Sequence, residues 1–274
     1  MAGEVDLYDS AYAHYDAEVY RQIRVATYGE DLGQTSWVSS EESQEIPRTL
    51  RLTPSSYVLE IGCGSGRYTL QVAATMGCRV VGLDTNAQGI ETANQVAAAR
   101  NLASQVQFEI CDAAKRLPFS DSTFDAAFAN DVLCHVPGRP SVLREIFRVL
   151  KCGGRTLFSD ALVIGGLISQ QEIATRSSIG FYVFGPPGEN ERIIEEAGFR
   201  LESVSDTSEQ AALIAKRWRD AREGRKEALL AIESPANYEG LQQFLSTVHA
   251  LTSEKRLLRY VYVAVKPDES LASS

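Results

Sequence analysis

Residues 58–67 read VLEIGCGSGR, and the chemistry of the chain turns on what the three glycines are for. Val58, Leu59 and Ile61 surround one carboxylate, Glu60, and Gly62, Gly64 and Gly66 then fall at every second position. Such a run describes a buried strand breaking into a tight turn. Glycine is favoured there because a Cβ would block a positive φ or the close approach of a ligand or another backbone. An ATPase-type phosphate loop needs Lys-Ser or Lys-Thr after its glycines, whereas Arg67-Tyr68 stands here. A dinucleotide turn is spaced G-x-G-x-x-G and sets a pyrophosphate on the helix N-terminus. Here the spacing is G-x-G-x-G, and a carboxylate two positions before the first glycine repels a pyrophosphate but suits an ammonium group.

Outward from this loop, short apolar runs alternate with amphipathic stretches between Tyr57 and Phe158, the pattern of a parallel sheet wound with helices on both faces. Strands are expected at 57–61, 79–83, 106–110, 124–129 and 155–159, and later at about 199–206 and 257–265. Leu143, Ile146, Phe147 and Leu150 have the spacing of a core-facing helix that starts near Pro140 and stops at Gly153-Gly154. Residues 161–187 hold an aromatic, glycine-rich stretch without a clear period and read as a loop or lid. A helix at about 188–197 and a mostly helical insertion over 207–256 complete the pattern. The expected organisation is an N-terminal helical lid segment (1–50), a ligand-binding core (51–160), the rest of the sheet with lid and insertion (161–267), and a frayed tail (268–274).

The chain has 274 residues, of which 44% are hydrophobic and 23% charged, enough for a full globular core. A formal charge of −9 argues against a nucleic-acid surface. The densest basic cluster, RWRDAREGRK at 217–226, is interrupted by Asp220 and Glu223 at helical spacing and reads as a solvated helix face. No apolar run reaches the roughly 20 residues needed to cross a bilayer, and MAGEVDLYDS at the start is unlike a signal peptide, so no membrane partner and a cytoplasmic location are expected. The five cysteines show no C-x-x-C pair and read as buried free thiols.

The glycine run resembles the first motif of the class I S-adenosylmethionine-dependent methyltransferases, an acidic residue, one apolar residue and then G-x-G-x-G. LDTN (83–86) is similar to their second motif, whose acidic residue, here Asp84, accepts hydrogen bonds from the ribose hydroxyls. CDAAKRLPFSDSTFDAAFANDVLCHV (111–136) resembles the third and fourth motifs, with Asp112 and Ala113 near the adenine amino group. VLKCGGRTLFSD (149–160) resembles the turn into the fifth strand, with Cys152 where proline is common. The resemblance implies a Rossmann-like, doubly wound α/β sheet of seven strands, mostly parallel with an antiparallel last strand, plus helical lid and cap insertions. It implies S-adenosylmethionine as cofactor, no metal, and contacts from Glu60, Gly62, Cys63, Gly64, Asp84, Thr85, Asp112, Ala113, Asn130 and Gln34, with Glu60 addressing the charged amino-acid end.

The implied reaction moves a methyl group to a small-molecule N, O or C nucleophile. Competing readings are a nucleotide-dependent oxidoreductase and a catalytically silent binder of the cofactor. A nucleophile that carries a proton needs a base, and NDVLCH sets Asp131 and His135 four apart, on one face if a helical turn follows the strand. Histidine suits that role near neutrality. This stretch is most similar to the branch containing phosphoethanolamine and glycine/sarcosine/dimethylglycine methyltransferases, and GEDLG (29–33) to the segment that closes over their cofactor. By that resemblance a tyrosine from the N-terminal helix partners His135. Tyr8, Tyr12 and Tyr15 share a helical face; Tyr15 is the choice, with Tyr12 or Tyr20 as alternatives. The lid 161–187 and insertion 207–256 depart from those enzymes, and this region is expected to shape the acceptor pocket.

Overall fold

The computed structural model describes residues 5–31 and 33–268. Leu32 of the GEDLG segment and all of the expected tail except Asp268 lie outside the described residues. The strands are β1 (Tyr57–Ile61), β2 (Arg79–Asp84), β3 (Val106–Ile110), β4 (Phe124–Ala129), β5 (Leu150–Ile164), β6 (Arg200–Asp206) and β7 (Leu257–Val265). They form one seven-stranded sheet in the order β3-β2-β1-β4-β5-β7-β6. β1 to β5 pair in parallel, and β7 runs antiparallel to both β5 and β6. The strand order reverses between β1 and β4, and their C-terminal ends therefore diverge into the crevice where open α/β sheets bind ligands.

Helices α1 (Tyr8–Ala13), α2 (Glu18–Tyr28) and α3 (Ser40–Thr49) precede the sheet. α4 (Arg67–Met76), α5 (Ala87–Ala99), α6 (Arg139–Val149), α7 (Gln170–Arg176) and α8 (Glu189–Glu196) follow, and α9 (Ser208–Glu223), α10 (Lys226–Leu230) and α11 (Pro235–Ser253) form the insertion before β7. The central strands are apolar throughout because both faces are covered: Val58, Leu59, Phe124, Ala126, Ala127 and Phe128 have no exposed surface. A second core joins the N-terminal segment to the insertion, with Leu7, Tyr20, Tyr28 and Trp37 packed on Trp218, Phe244 and Leu245. The insertion thus supports the N-terminal segment from behind. Among the described residues, no helix is long and apolar enough to cross a membrane.

Several expectations change. β5 continues to Ile164, four residues into the expected lid, and the stretch read as a loop contains α7, opened by a Ser169–Glu172 capping box. Helix α1 ends at Ala13, so the helical face proposed for Tyr8, Tyr12 and Tyr15 does not reach Tyr15. The basic cluster 217–226 is mostly solvated, but Arg222 is buried and pairs with Glu233 at 2.7 Å. Cys63, Cys78 and Cys134 are buried as expected, whereas Cys111 is half-buried and Cys152, near the start of β5, is exposed.

Just beyond β4, Asp131 adopts a left-handed conformation (φ 57°) that a non-glycine residue holds only when its surroundings enforce it. They do so through its carboxylate. Arg259 Nε donates to Oδ1 at 2.8 Å, Ser159 Oγ to Oδ1 at 2.9 Å, and the Trp37 amide to Oδ2 at 3.1 Å. Arg259 is fully buried and also holds both oxygens of Glu42 at 2.9 Å. One network thereby joins α3, the chain at Trp37, the end of β4, β5 and β7. Removing one partner from such a network leaves an uncompensated buried charge. Arg259→Met is therefore expected to destabilise the protein by about 3–5 kcal/mol in urea unfolding, while Arg192→Ala, which removes an exposed pair on α8, changes stability by less than about 0.5 kcal/mol. Equal midpoints for the two variants would show that the network does not hold the fold.

Candidate active site

The diverging ends of β1 and β4 open into a cavity of about 600 Å³. Its floor is the glycine turn. Gly62 and Gly64 have φ of 73° and 52°; a Cβ at Gly64 would lie 2.5 Å from the Tyr12 hydroxyl, and one at Gly62 would overlap Val132. The Gly62 and Cys63 amides both donate to the Leu83 carbonyl, at 2.7 and 3.0 Å, which folds the turn back over β2. Asp84 ends β2 on the rim of the cavity. The Gly64 amide donates to its Oδ2 and the Asn86 amide to its Oδ1, both at 2.8 Å. Each oxygen keeps acceptor capacity for a hydroxyl pair, the geometry a ribose requires.

Asn130 follows β4, is only 6% exposed, lines the cavity, and has no partner for either side-chain polar atom. Buried amides are ordinarily bonded, so this one fits a polar ligand group. Thr85, Asp112 and Ala113 also line the cavity, as do Cys63 and Gln34, whose Nε2 donates to the Glu30 carbonyl at 3.0 Å. Glu60 does not. It is fully buried behind the turn, accepts from Thr69 Oγ1 at 2.5 Å, and has no partner at Oε1. Burial raises its pKa to about 8, so direct contact with an ammonium, expected from the sequence, gives way to a position one layer back.

Arg67, which served in the sequence only to exclude a phosphate loop, is a candidate the reading missed. It is the first residue of α4, buried, and lies in the cavity lining above the Tyr68 ring, 4.9 Å from its centroid. Glu30 lies 3.6 Å from Nη2, but Nε and Nη1 have no partner. An unsatisfied guanidinium beside a glycine turn fits a carboxylate. The signal was the arginine directly after the last glycine, at a helix start.

At the other end of the cavity, a short 3₁₀ turn (Leu133–His135) presents His135. Its Nδ1 lies 3.2 Å from the Phe181 carbonyl and its Nε2 3.2 Å from the Tyr8 hydroxyl. A carbonyl only accepts, so the assignment consistent with this pair places the proton on Nδ1 and leaves a lone pair on Nε2. The Tyr182 ring packs on the imidazole at 4.3 Å between centroids. Burial, reinforced by the positive charge of Arg176, lowers the His135 pKa to about 4, so the ring is neutral over the physiological range.

Two sequence expectations are corrected here. Tyr8, not Tyr15, reaches His135: with α1 ended at Ala13, Tyr15 turns away, stacks under Arg24 at 5.0 Å and abuts Gly33. Of the alternatives, Tyr12 lies over Gly64, and Tyr20 donates to Glu233 at 2.6 Å in the second core. Asp131 lines the cavity but does not partner His135, because its carboxylate is committed to Arg259, Ser159 and Trp37. Residues 161–187 contribute Arg176, Ile179 and Tyr182 to the lining, whereas the described residues of the insertion 207–256 contribute none.

Comparison with known proteins places this geometry. A family model described as a methyltransferase domain matches residues 52–179. The O-methyltransferase resE of Aspergillus sclerotiorum is 30% identical, over 67% of this chain and 70% of its own length. The 27-O-demethylrifamycin SV methyltransferase of Amycolatopsis mediterranei is 28% identical over 93% and 96%. Other relatives match over less of their length: 61%, 58% and 44% in three cases. Among solved structures, phosphoethanolamine N-methyltransferase 2 of Haemonchus contortus, with S-adenosylhomocysteine, superposes with a TM-score of 0.79 at 23% identity, covering 95% of this chain and 60% of that one.

The chain belongs to the S-adenosylmethionine-dependent methyltransferases. The cofactor fits the residues present: Asp84 would hold the ribose and Asn130 and Arg67 the amino-acid end, while Gly62 and Gly64 let the turn that floors the cavity pack against Val132 and Tyr12. Gly64→Val is expected to abolish S-adenosylhomocysteine binding in calorimetry, and Asp84→Ala to weaken it by about 1–3 kcal/mol. Arg67→Met should weaken S-adenosylhomocysteine by about tenfold or more yet leave methylthioadenosine, which lacks the amino-acid group, unaffected. Equal losses for both ligands would remove Arg67 from the carboxylate end.

Proposed function

We propose that the chain transfers the methyl group of S-adenosylmethionine to a hydroxyl oxygen of a small molecule, with His135 as general base. The observation that carries this is the pinned imidazole: Nδ1 held by the Phe181 carbonyl and Nε2 facing a hydroxyl within the cavity. Bound S-adenosylmethionine supplies a methyl carbon on a positively charged sulfur, and the C–S electron pair returns to sulfur as the methyl leaves. The acceptor hydroxyl takes the place of Tyr8 at Nε2, gives its proton to the imidazole, and its oxygen pair forms the bond to the methyl carbon. His135 then loses the proton to solvent. Tyr8 orients the acceptor, and the N-terminal segment with Tyr12, Gln34 and Trp37 acts as a lid that excludes water, which favours charge-neutralising displacement.

Oxygen is favoured over an amine nitrogen because Arg176 is a buried positive charge in the same cavity. It repels an ammonium and favours the partial negative charge that develops on a hydroxyl oxygen. The names of the two relatives given above, one an O-methyltransferase and one a 27-O-demethylrifamycin SV methyltransferase, agree with oxygen as acceptor. The expected organisation into lid segment, cofactor core and lid-bearing second half is retained as part of this reading. Free thiols in all five cysteine positions suit a reducing, cytoplasmic setting.

Incubation with methyl-labelled S-adenosylmethionine and a metabolite extract should yield a labelled methyl ether; a labelled methylamine as sole product would overturn the reading. With the acceptor in hand, His135→Ala is expected to lower kcat by about 10²–10⁴-fold with cofactor affinity kept, and Tyr8→Phe by less. The base form is lost as pH falls through the His135 pKa. Because that lies near 4 rather than at 6.5, kcat/KM should hold through pH 5.5. An acid limb at pH 6.5 in kcat/KM would show that His135 is not the base or is not buried in solution.

A further inference from the structure

Arg176 closes α7, is 1% exposed and lines the cavity on the His135 side. Other buried arginines in this protein have carboxylate partners: Arg259 with Asp131 and Glu42, Arg222 with Glu233, Arg139 with Asp160. Among the described residues, no carboxylate lies within ion-pairing distance of Arg176, and its Nε and Nη1 have no hydrogen-bond partner. Aromatic rings form its walls, with the Tyr182, Phe244 and Trp37 centroids 4.4, 5.1 and 5.9 Å from the guanidinium carbon. Cation–π contacts of this kind offset part of the desolvation of a guanidinium but satisfy none of its N–H donors. A buried charge is retained at such a position when something completes it.

On the basis of the oxygen-methylation reading above, we propose that Arg176 is the carboxylate subsite of the acceptor, which is therefore a hydroxylated carboxylic acid. The guanidinium shares a side-chain hydrogen bond with Tyr182, and the N–H groups left at Nε and Nη1 are donors for which a carboxylate is the matching acceptor. One guanidinium balances one negative charge. The further donors nearby, the Tyr8 and Tyr182 hydroxyls, are neutral because burial raises both phenols above their ordinary range. A phosphate dianion would leave a net charge in the cavity, whereas a carboxylate leaves none.

This subsite acts on the base. Burial is the first cause of the low His135 pKa, and the field of Arg176 the second; the Phe181 carbonyl and Asp131 oppose them. The groups that face this cluster are Tyr8 from α1, Asp131 and Cys134 from the turn after β4, and Arg176 and Tyr182 from the lid. A carboxylate on Arg176 cancels its field at the imidazole, so His135 becomes a stronger base when the acceptor is bound. The acid limb of kcat, which reports the complex, then lies at higher pH than that of kcat/KM.

The test is an NMR titration of the His135 imidazole in protein saturated with S-adenosylhomocysteine, assigned by its loss in His135→Gln. Sodium acetate, small enough to enter irrespective of acceptor shape, should raise the midpoint by about one pH unit, and acetamide should leave it in place. Arg176→Gln should itself raise the midpoint and abolish the acetate response. If that variant does not fold, the acetate–acetamide contrast in the wild-type protein decides alone. Equal responses to acetate and acetamide, or an acetate response that survives Arg176→Gln, would overturn the subsite. A larger response to inorganic phosphate than to acetate would overturn the carboxylate assignment in favour of a phosphate ester. No methyl is transferred in this measurement, so a methylamine product in the labelling experiment and a failed acetate response are separate results.

Discussion

The carboxylate of Asp131 is the point on which the site depends. It stands at the end of β4 in a left-handed conformation and accepts from the Arg259 guanidinium, the Ser159 hydroxyl and the Trp37 amide. Through Arg259 it is also tied to Glu42 on α3. These bonds fix the direction in which the chain leaves the sheet, and hence where the turn carrying His135 lies. They also anchor the N-terminal segment over the cavity, since Trp37 lies within that segment and packs on Trp218 and Phe244. A substitution at Asp131 would thus disturb the base, the lid and the sheet together, which makes loss of activity there poor evidence of a direct chemical role.

The cavity is organised by two buried arginines that are not fully paired. Arg67 sits beside the glycine turn, where a carboxylate of the cofactor would complete it, and Arg176 sits beside His135, where a carboxylate of the acceptor would do the same. Each is held against aromatic rings, Tyr68 for one and Tyr182 for the other. The proposed arrangement would separate the reactants by charge. On the proposed reading, the zwitterionic methionine end would lie near Asn130 and Arg67, and an anionic acceptor would lie at Arg176 beside the neutral imidazole.

The sheet was legible because its signal is local: β1, β3, β4 and β7 begin and end where apolar runs meet glycine, proline or polar residues. The cofactor floor was legible too, since G-x-G-x-G and the Asp84 at the end of β2 act through backbone position. The acceptor end was not. Which N-terminal tyrosine meets His135 depends on where α1 stops, and the end at Ala13 has no proline or glycine to announce it. Asp131 and His135 were paired by helical spacing, but the turn between them is 3₁₀ and the carboxylate is claimed by Arg259, 128 positions later in the chain. Glu60 reads as a ligand contact from its place before the glycines, yet strand alternation and Thr69 turn it behind the turn. Arg176 lay in a stretch without periodicity, where its burial had no sequence signature.

The most direct test of the account is a crystal structure of the protein with S-adenosylhomocysteine. The account predicts the ribose hydroxyls on Asp84, the amino-acid carboxylate on Arg67 and the amino group beside Asn130, with the sulfur turned toward the part of the cavity bounded by His135, Tyr8 and Arg176. A ligand whose sulfur faces away from His135, or whose carboxylate is bound by Arg176, would contradict it.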